Sequence, residues 1–305
     1  MSRLPAGMSN PHYRGRFAPS PTGPLHFGSL IAATASYLQA RSQGGEWWVR
    51  IEDIDPPREV AGASDAILQT LEDFGFEWDG AVSFQSRRQT YYQDALAQLR
   101  ALRLAYPCAC SRKDIATASP QGIYPGTCRQ GLAPHQKPRA WRIQVPEQAI
   151  EFTDKIQGSQ HTDLAREVGD FVLLRADGYY AYQLATALDD AEQGMTEVVR
   201  GADLLDSTPR QRYVQQALGL PSPVYAHHPV VLAANGAKLS KQNLAPPLVT
   251  AQASPLLHAA LRFLGQAVPD ELRHDTLTEL WQWAIAHWQI EQIPKIQGTQ
   301  IEKFP

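Results

Sequence analysis

The sequence predicts an α/β protein, a parallel sheet wound with helices, interrupted by a metal-binding insertion and followed by a short helical region. Three observations carry this expectation. The first third alternates strand-like and helix-like stretches, an order that favours a parallel sheet because parallel neighbours need a crossover between them. All three cysteines fall close together, at positions 108, 110 and 128. Beyond Pro246 and Pro247 the apolar residues recur on a helical period.

Residues 16–30, Arg-Phe-Ala-Pro-Ser-Pro-Thr-Gly-Pro-Leu-His-Phe-Gly-Ser-Leu, organise the chain and read as a strand that stops abruptly and launches a helix. Pro19, Pro21 and Pro24 forbid regular pairing, Gly23 admits an unusual backbone angle, and residues 29–42 are apolar on a helical period. Such a loop delivers a helix N-terminus, whose unpaired N–H groups and dipole suit a phosphate. Gly28 lets a ligand approach the backbone, and His26 stands where an imidazole N–H reaches a triphosphate. On these residues alone a plain tight connection fits as well.

Residues 45–55 read as a strand with an acidic end that includes Glu52, stopped by Pro56 and Pro57. Carboxylates at a strand's carboxyl end in an open α/β sheet lie near the ligand crevice, and a solvated strand end fits the same spacing. Residues 64–74 predict a capped amphipathic helix, and residues 87–104 another whose Tyr92, Leu96 and Leu99 form a core stripe. Next come Cys108, Cys110 and Cys128. Three thiols so close, in a chain with no export signal, argue for a soft-ligand metal such as zinc rather than for disulfides. The fourth ligand stays open: His135 is the conventional choice and Asp114 another.

Residues 140–145 and 170–175 predict short strands around a polar stretch of no clear type. Residues 179–190 start a helix after Asp177 and Gly178, with Tyr179 and Tyr180 as core, and residues 196–203 form a β-rich run through Arg200 and Gly201. Pro209 opens a helix over 208–218, which Gly219 and Pro221 stop. A strand over 227–232 leads through the turn signal Asn235-Gly236 to Lys238-Leu-Ser-Lys241, two mobile charges suited to a polyphosphate. His227 and His228, adjacent on a strand, face opposite ways and make poor joint ligands, so they are structural or line a nucleotide pocket. Residues 255–264 and 270–288 are helical, with Leu280, Trp281 and Trp283 as packing surface.

With 28 basic against 31 acidic residues in a chain of 305, non-specific nucleic-acid binding is excluded, and any nucleic-acid surface is a local patch. The first dozen residues show no basic-then-apolar leader, and no apolar run approaches the roughly 18 residues that span a bilayer. The expectation is a cytoplasmic protein with no membrane partner.

Taken together, His26-Phe-Gly-Ser29 and Lys238-Leu-Ser-Lys-Gln242 resemble the two ATP-binding motifs of the class I aminoacyl-tRNA synthetases. Residues 16–30 with Arg50-Ile-Glu-Asp-Ile-Asp55 are similar to the glutamyl and glutaminyl branch. Ser29 replaces a second His of the family motif and Gln242 a final Ser, while the first His, the Gly and both lysines are kept. The resemblance implies a Rossmann-type catalytic domain in two halves, 13–104 and 177–245, a zinc-containing insertion over 105–176 and a helical C-terminal region over 246–305. It implies catalysis by His26, Lys238 and Lys241, and nucleotide binding by Pro19, His26, Gly28, Ser29 and Lys241. Glutamate would meet Arg16 and Arg200 through its two carboxylates, Glu52 through its ammonium group, and the hydroxyls of Ser20 and Tyr182. Tyr124-Pro-Gly-Thr-Cys128 is similar to the Tyr-x-x-x-Cys pairing of the glutamyl-queuosine tRNA(Asp) synthetases, which implies Tyr124 as the ligand that joins Cys108, Cys110 and Cys128 on one structural zinc ion.

In ordinary glutamyl synthetases a long anticodon-reading region follows the lysine loop, whereas 64 residues follow Lys241 here, so no anticodon-binding domain is expected. The implied function is activation of L-glutamate by ATP with Mg2+, without tRNA, and its transfer to the queuosine base in the anticodon loop of tRNA(Asp), by a monomer. An ordinary glutamyl-tRNA synthetase is the nearest alternative. A non-catalytic nucleotide or tRNA-binding module is disfavoured by the intact His26, Lys238 and Lys241. A small-molecule nucleotidyltransferase is disfavoured by the lysine loop, the Arg16 and Glu52 pair and the cysteine insertion.

Overall fold

The computed structural model describes residues 12–119, 121–233, 236 and 246–300. Strand β1 (Arg14–Phe17) pairs in parallel with β2 (Glu46–Ile51), and β2 with β3 (Ser83–Phe84). Helix α1 (Phe27–Ser42) crosses from β1 to β2 and α2 (Ala63–Asp73) from β2 to β3, the connection that parallel neighbours require. Helix α3 (Gln89–Ala101) follows a 3-10 turn over Gln85–Arg88, so the helix expected from residue 87 begins at 89. Its Tyr92, Leu96 and Leu99 are buried, as the stripe implied.

The insertion begins with β4 (Ala105–Cys108), α4 (Arg112–Ala118) and β5 (Ala140–Ile143), continues through β6 (Ile150–Asp154), β7 (Gly158–Thr162) and α5 (Leu164–Glu167), and ends on β8 (Val172–Leu174). Strands β4, β5 and β8 form a small antiparallel sheet. The polar stretch without a sequence assignment is the β6–β7 hairpin, turned at Gly158, whose φ is +76°.

The second half runs α6 (Tyr182–Glu192), β9 (Glu197–Gly201), α7 (Thr208–Ala217), β10 (Val224–His228) and β11 (Val230–Leu232). Parallel β9 and β10 join the hairpin through β10–β6, so part of the insertion extends the main sheet. The Thr196 N–H donates to the Arg14 carbonyl at 2.9 Å, which sets the second half beside β1. Beyond it come α8 (Ala253–Phe263), α9 (Leu277–His287) and β12 (Gly298–Gln300), the last paired in parallel with β11. The helix expected over 270–288 is shorter because Asp270–His274 forms a 3-10 turn and Thr276 caps α9.

Three further expectations are corrected. Helix α1 starts at Phe27 rather than 29, because His26 is its N-cap: His26 Nδ1 accepts from the Ser29 N–H and Ser29 Oγ from the His26 N–H, each at 3.4 Å. Helix α2 has no side-chain cap; it starts after Gly62, at φ +76°. The strand expected over 227–232 begins at Val224 and is two strands broken at Pro229. The main core surrounds α1 and extends from Phe17 to Ile293. Within it Tyr37, Trp47, Phe76 and Trp281 pack edge-to-face or stacked, with centroids 4.9–5.5 Å apart. Among the described residues no helix is long and apolar enough to cross a membrane.

Candidate active site and metal centre

The two halves of the sheet meet at β1 and β9, and the crevice beyond their carboxyl ends is the switch point where open α/β sheets bind ligands. A cleft of about 520 Å³ occupies it. Eight of the residues that the resemblance assigns to glutamate or nucleotide line this cleft: Arg16, Pro19, Ser20, His26, Gly28, Ser29, Tyr182 and Arg200. The proline-rich loop brings the N-terminus of α1 to the floor, with His26 as cap residue and Gly28 in the first turn. Glu52 lines a smaller adjoining pocket of about 110 Å³ that shares Ser20 and Tyr182 with the main cleft. Lys238, Lys241 and Gln242 lie outside the described residues. Their flanks border the cleft: Val230 and Val231 line it, and the Leu248 N–H donates to the carbonyl of Leu25, itself a lining residue.

Beneath the cleft a set of buried charges fixes the side chains. Arg16, at the end of β1, donates from Nε and Nη2 to the two carboxylate oxygens of Asp190 at 3.0 and 3.2 Å. Arg50 reaches Asp190 at 2.8 Å and Glu52 at 3.2 Å, and Glu52 Oε1 also accepts from Thr186 Oγ1 at 3.0 Å. Burial would raise the Asp190 carboxyl, but its two guanidinium partners outweigh that and hold it down at about 2. For Glu52 burial wins and the carboxyl is raised, with Arg50 and Arg16 pulling the other way. Asp189 accepts from Gln85, Tyr92 and Arg88 at 2.6–2.8 Å, tying α3 to α6.

Arg200 is held differently. Its Nε donates to His227 Nε2 at 3.0 Å, its Nη2 to Thr208 Oγ1 at 2.8 Å, and its Nη1 faces the Tyr182 hydroxyl at 3.5 Å. His227 Nδ1 in turn lies 2.6 Å from Asp154 Oδ2. His228 turns the other way and lines the cleft, so the adjacent histidines do face opposite sides of their strand.

The thiols of Cys108, Cys110 and Cys128 lie within 4.8 Å of one another. The Tyr124 hydroxyl enters this group, 3.3 Å from Cys108 Sγ and 3.6 Å from Cys110 Sγ, and accepts from the Cys128 N–H at 3.0 Å. Among the described residues neither His135 nor Asp114 joins the cluster; Asp114 caps α4 through Ser111, and His135 is exposed. Three soft sulfurs and one oxygen converging on a point suit a tetrahedral zinc ion. The Arg142 guanidinium packs over the Tyr124 ring at 4.0 Å and donates to Cys108 Sγ at 3.4 Å, placing positive charge against the ligand set.

Sequence reasoning missed Arg50, Thr186, Asp189, Asp190 and the Asp154–His227 pair. One signal was available: Tyr182, Thr186 and Asp190 recur every fourth position, a polar stripe along one face of the helix.

The family model of the class I tRNA synthetase (E and Q) catalytic domain matches residues 12–254. A glutamyl-Q tRNA(Asp) synthetase of Chromobacterium violaceum is 56% identical over 291 residues, covering 94% of this chain and 97% of that protein. Its counterpart in Neisseria meningitidis serogroup C is 55% identical and covers 93% and 98%. Among solved structures, the glutamate tRNA ligase of Elizabethkingia meningosepticum, in complex with its amino acid, superposes with a TM-score of 0.78 at 26% identity, covering 94% of this chain and 66% of that one. The glutamate-tRNA synthetase of Elizabethkingia anophelis superposes at 0.80 and 25%, with 68% of its length covered. The chain therefore belongs to the glutamyl-Q tRNA(Asp) synthetase family, within the glutamyl and glutaminyl branch of the class I tRNA synthetases.

Proposed function

We propose that this protein activates L-glutamate with MgATP, without tRNA, and transfers the glutamyl group to the queuosine base of tRNA(Asp), acting as a cytoplasmic monomer. The observation that carries the reading is that one cleft gathers the guanidinium groups of Arg16 and Arg200, the hydroxyls of Ser20 and Tyr182 and a helix N-terminus capped by His26. A dicarboxylate needs two cationic partners, and Arg16 and Arg200 supply them, with Ser20 and Tyr182 as hydroxyl partners. Glu52 takes the ammonium group from the adjoining pocket. Neutral glutamine would leave a buried guanidinium short of its partner and is rejected.

The nucleotide lies along the start of α1, with Pro19, Gly28 and Ser29 at the backbone approach and His26 toward the phosphates. A glutamate carboxylate oxygen attacks the α-phosphorus in line, the bond to the bridging oxygen breaks, and pyrophosphate leaves. Negative charge grows on the phosphate oxygens, and donors already aimed there stabilise it. His26, Lys238 and Lys241 fill that role, with Lys241 foremost. A hydroxyl of the queuosine cyclopentene ring then attacks the activated carbonyl carbon, AMP departs and an ester forms. The catalytic body is residues 13–104 with 177–245; the insertion, 105–176, and the helical region, 246–305, flank it. Cys108, Cys110, Tyr124 and Cys128 would hold one zinc ion, which braces the insertion and takes no part in the chemistry.

The test is transfer of radiolabelled glutamate to tRNA(Asp) with its 3′-terminal adenosine removed. Labelling of the queuosine-containing trimmed tRNA, and none of the same tRNA lacking queuosine, is expected. Label that depends on the 3′ adenosine, on tRNA(Glu), would replace this reading with the ordinary synthetase.

A further inference from the structure

The buried arginines in and beneath the cleft are held in two different ways. Arg16 and Arg50 sit directly on carboxylates. Arg200, 4% exposed, forms no ion pair among the described residues; its inner partners are the ring nitrogen of His227, the hydroxyl of Thr208 and, at 3.4 Å, the carbonyl of Leu204. All of these are neutral acceptors if His227 is neutral. We propose that Asp154 and His227 are a positioning pair that fixes the Arg200 guanidinium for the substrate carboxylate without compensating its charge. The inference rests on the assignment of Arg200 to glutamate.

The geometry supports each link. His227 stands directly opposite Arg200 in the β9–β10 ladder, so the two side chains rise from the same point of the sheet. Asp154 ends β6, where Oδ1 accepts three backbone N–H groups, from Ile156, Gln157 and His227, at 2.9–3.1 Å, leaving Oδ2 for the imidazole. A carboxylate held by that many donors is fixed in place and in its ionised form. It therefore accepts Nδ1–H, which leaves the Nε2 lone pair toward Arg200 Nε. Burial, the largest effect, and the nearby Arg200 charge push the His227 imidazole down to about 4, so the ring is neutral at physiological pH. Of the five guanidinium N–H groups, those on Nε and Nη2 are committed on the inner side. Nη1 is left on the Tyr182 side, at the cleft. A carboxylate in place of His227 would orient the guanidinium equally well but would set a negative charge directly against it.

The test is glutamate-dependent pyrophosphate exchange, with the KM of glutamate and of ATP measured separately. His227→Phe and Asp154→Asn are expected to raise the glutamate KM by roughly 10²-fold while the ATP KM moves by less than about threefold. Asparagine at 154 can donate to Nδ1, which drives the ring to the Nε2–H tautomer and sets donor against donor at Arg200. His227→Gln, whose amide oxygen reaches about where Nε2 sits, restores the glutamate KM to within about fivefold, whereas His227→Asn does not. An unchanged glutamate KM in His227→Phe, beside a raised one in Arg200→Lys, overturns the pair alone; absence of exchange in the wild type removes the glutamate assignment and the pair with it. Nitrogen NMR of the wild-type imidazoles gives a readout independent of variant folding. His227 is expected as the Nδ1–H tautomer near neutral pH, and an Nε2–H tautomer or an imidazolium there overturns the proposal.

Discussion

Asp190 is the point on which two buried guanidinium groups converge, and it carries more of the site than any residue singled out from sequence. Asp190→Asn keeps the shape but leaves Arg16 and Arg50 with one carboxylate fewer, and a broken buried pair costs about 3–5 kcal/mol. A urea melt checks it; a loss under about 1 kcal/mol would mean the guanidinium groups find other partners. The acid limb has a definite sign. The folded-state carboxyl is held at about 2, below its unfolded value, so its contribution is complete above about pH 4 and is lost as pH falls through 2. The wild type should therefore lose stability over that window, and Asp190→Asn should lack this part of the loss. Glu52 behaves oppositely. Burial raises its carboxyl, whereas a bound ammonium favours the ionised form, so the glutamate KM should fall as pH rises above the ordinary carboxylate range, and Glu52→Gln should abolish that slope. None of these ion pairs was legible in the sequence, since Arg16 and Asp190 are separated by 174 positions and only the fold brings them together.

The loop from β1 into α1 was legible because it is local: three prolines end the strand and apolar periodicity marks the helix, although the His26–Ser29 box that sets the helix start two residues earlier was not read. The β6–β7 hairpin was not, because its strands are half-exposed and polar, and pairing with β10 rather than its own pattern secures it. The cysteine cluster shows both cases. Its thiols could be read from spacing, but the placement of Tyr124 depends on Gly169, whose φ is +71° and where an added Cβ would lie 2.6 Å from the Tyr124 carbonyl oxygen. The left-handed backbone alone costs an alanine about 1–2 kcal/mol, and the obstacle is backbone that cannot rotate away. Gly169→Ala should therefore shift Tyr124 and weaken zinc retention in competition with a chelator. Zinc affinity equal to wild type would show that the phenol oxygen is dispensable. Stripping a bound zinc ion should make the segment between β4 and β5 protease-sensitive while pyrophosphate exchange persists, since the cluster lies beside a sheet separate from the strands that bear the cleft.

At the scale of the whole molecule, the C-terminal residues share one core with the nucleotide loop. Helical periodicity showed that α8 and α9 exist, but not where they pack, because an apolar stripe says nothing about which face receives it. Leu257, Leu261 and Leu264 from the α8 region, and Leu280, Trp281 and Ala284 from α9, belong to the core around α1. The Trp281 indole N–H donates to the Phe74 carbonyl at 3.0 Å and the Trp288 indole to Gln39 Oε1 at 2.8 Å, so α2 and α1 are both tied to the end of the chain. Strand β12 pairs with β11, whose Val230 and Val231 line the cleft. Each large apolar side chain uncovered costs about 1.5–3 kcal/mol, and removing these helices uncovers several on both sides, against a typical net stability of about 5–15 kcal/mol. A chain ended at Pro246 should thus fail to fold cooperatively and should bind hydrophobic dye. The single change Trp281→Ala, at about 3–5 kcal/mol, should lower hydrogen-exchange protection in α1 together with α9. If the shortened chain melts like the wild type, or α1 keeps its protection in Trp281→Ala, the C-terminal helices are an appendage. If both expectations hold, the helix that presents His26 and Gly28 owes its rigidity to residues more than 200 positions away.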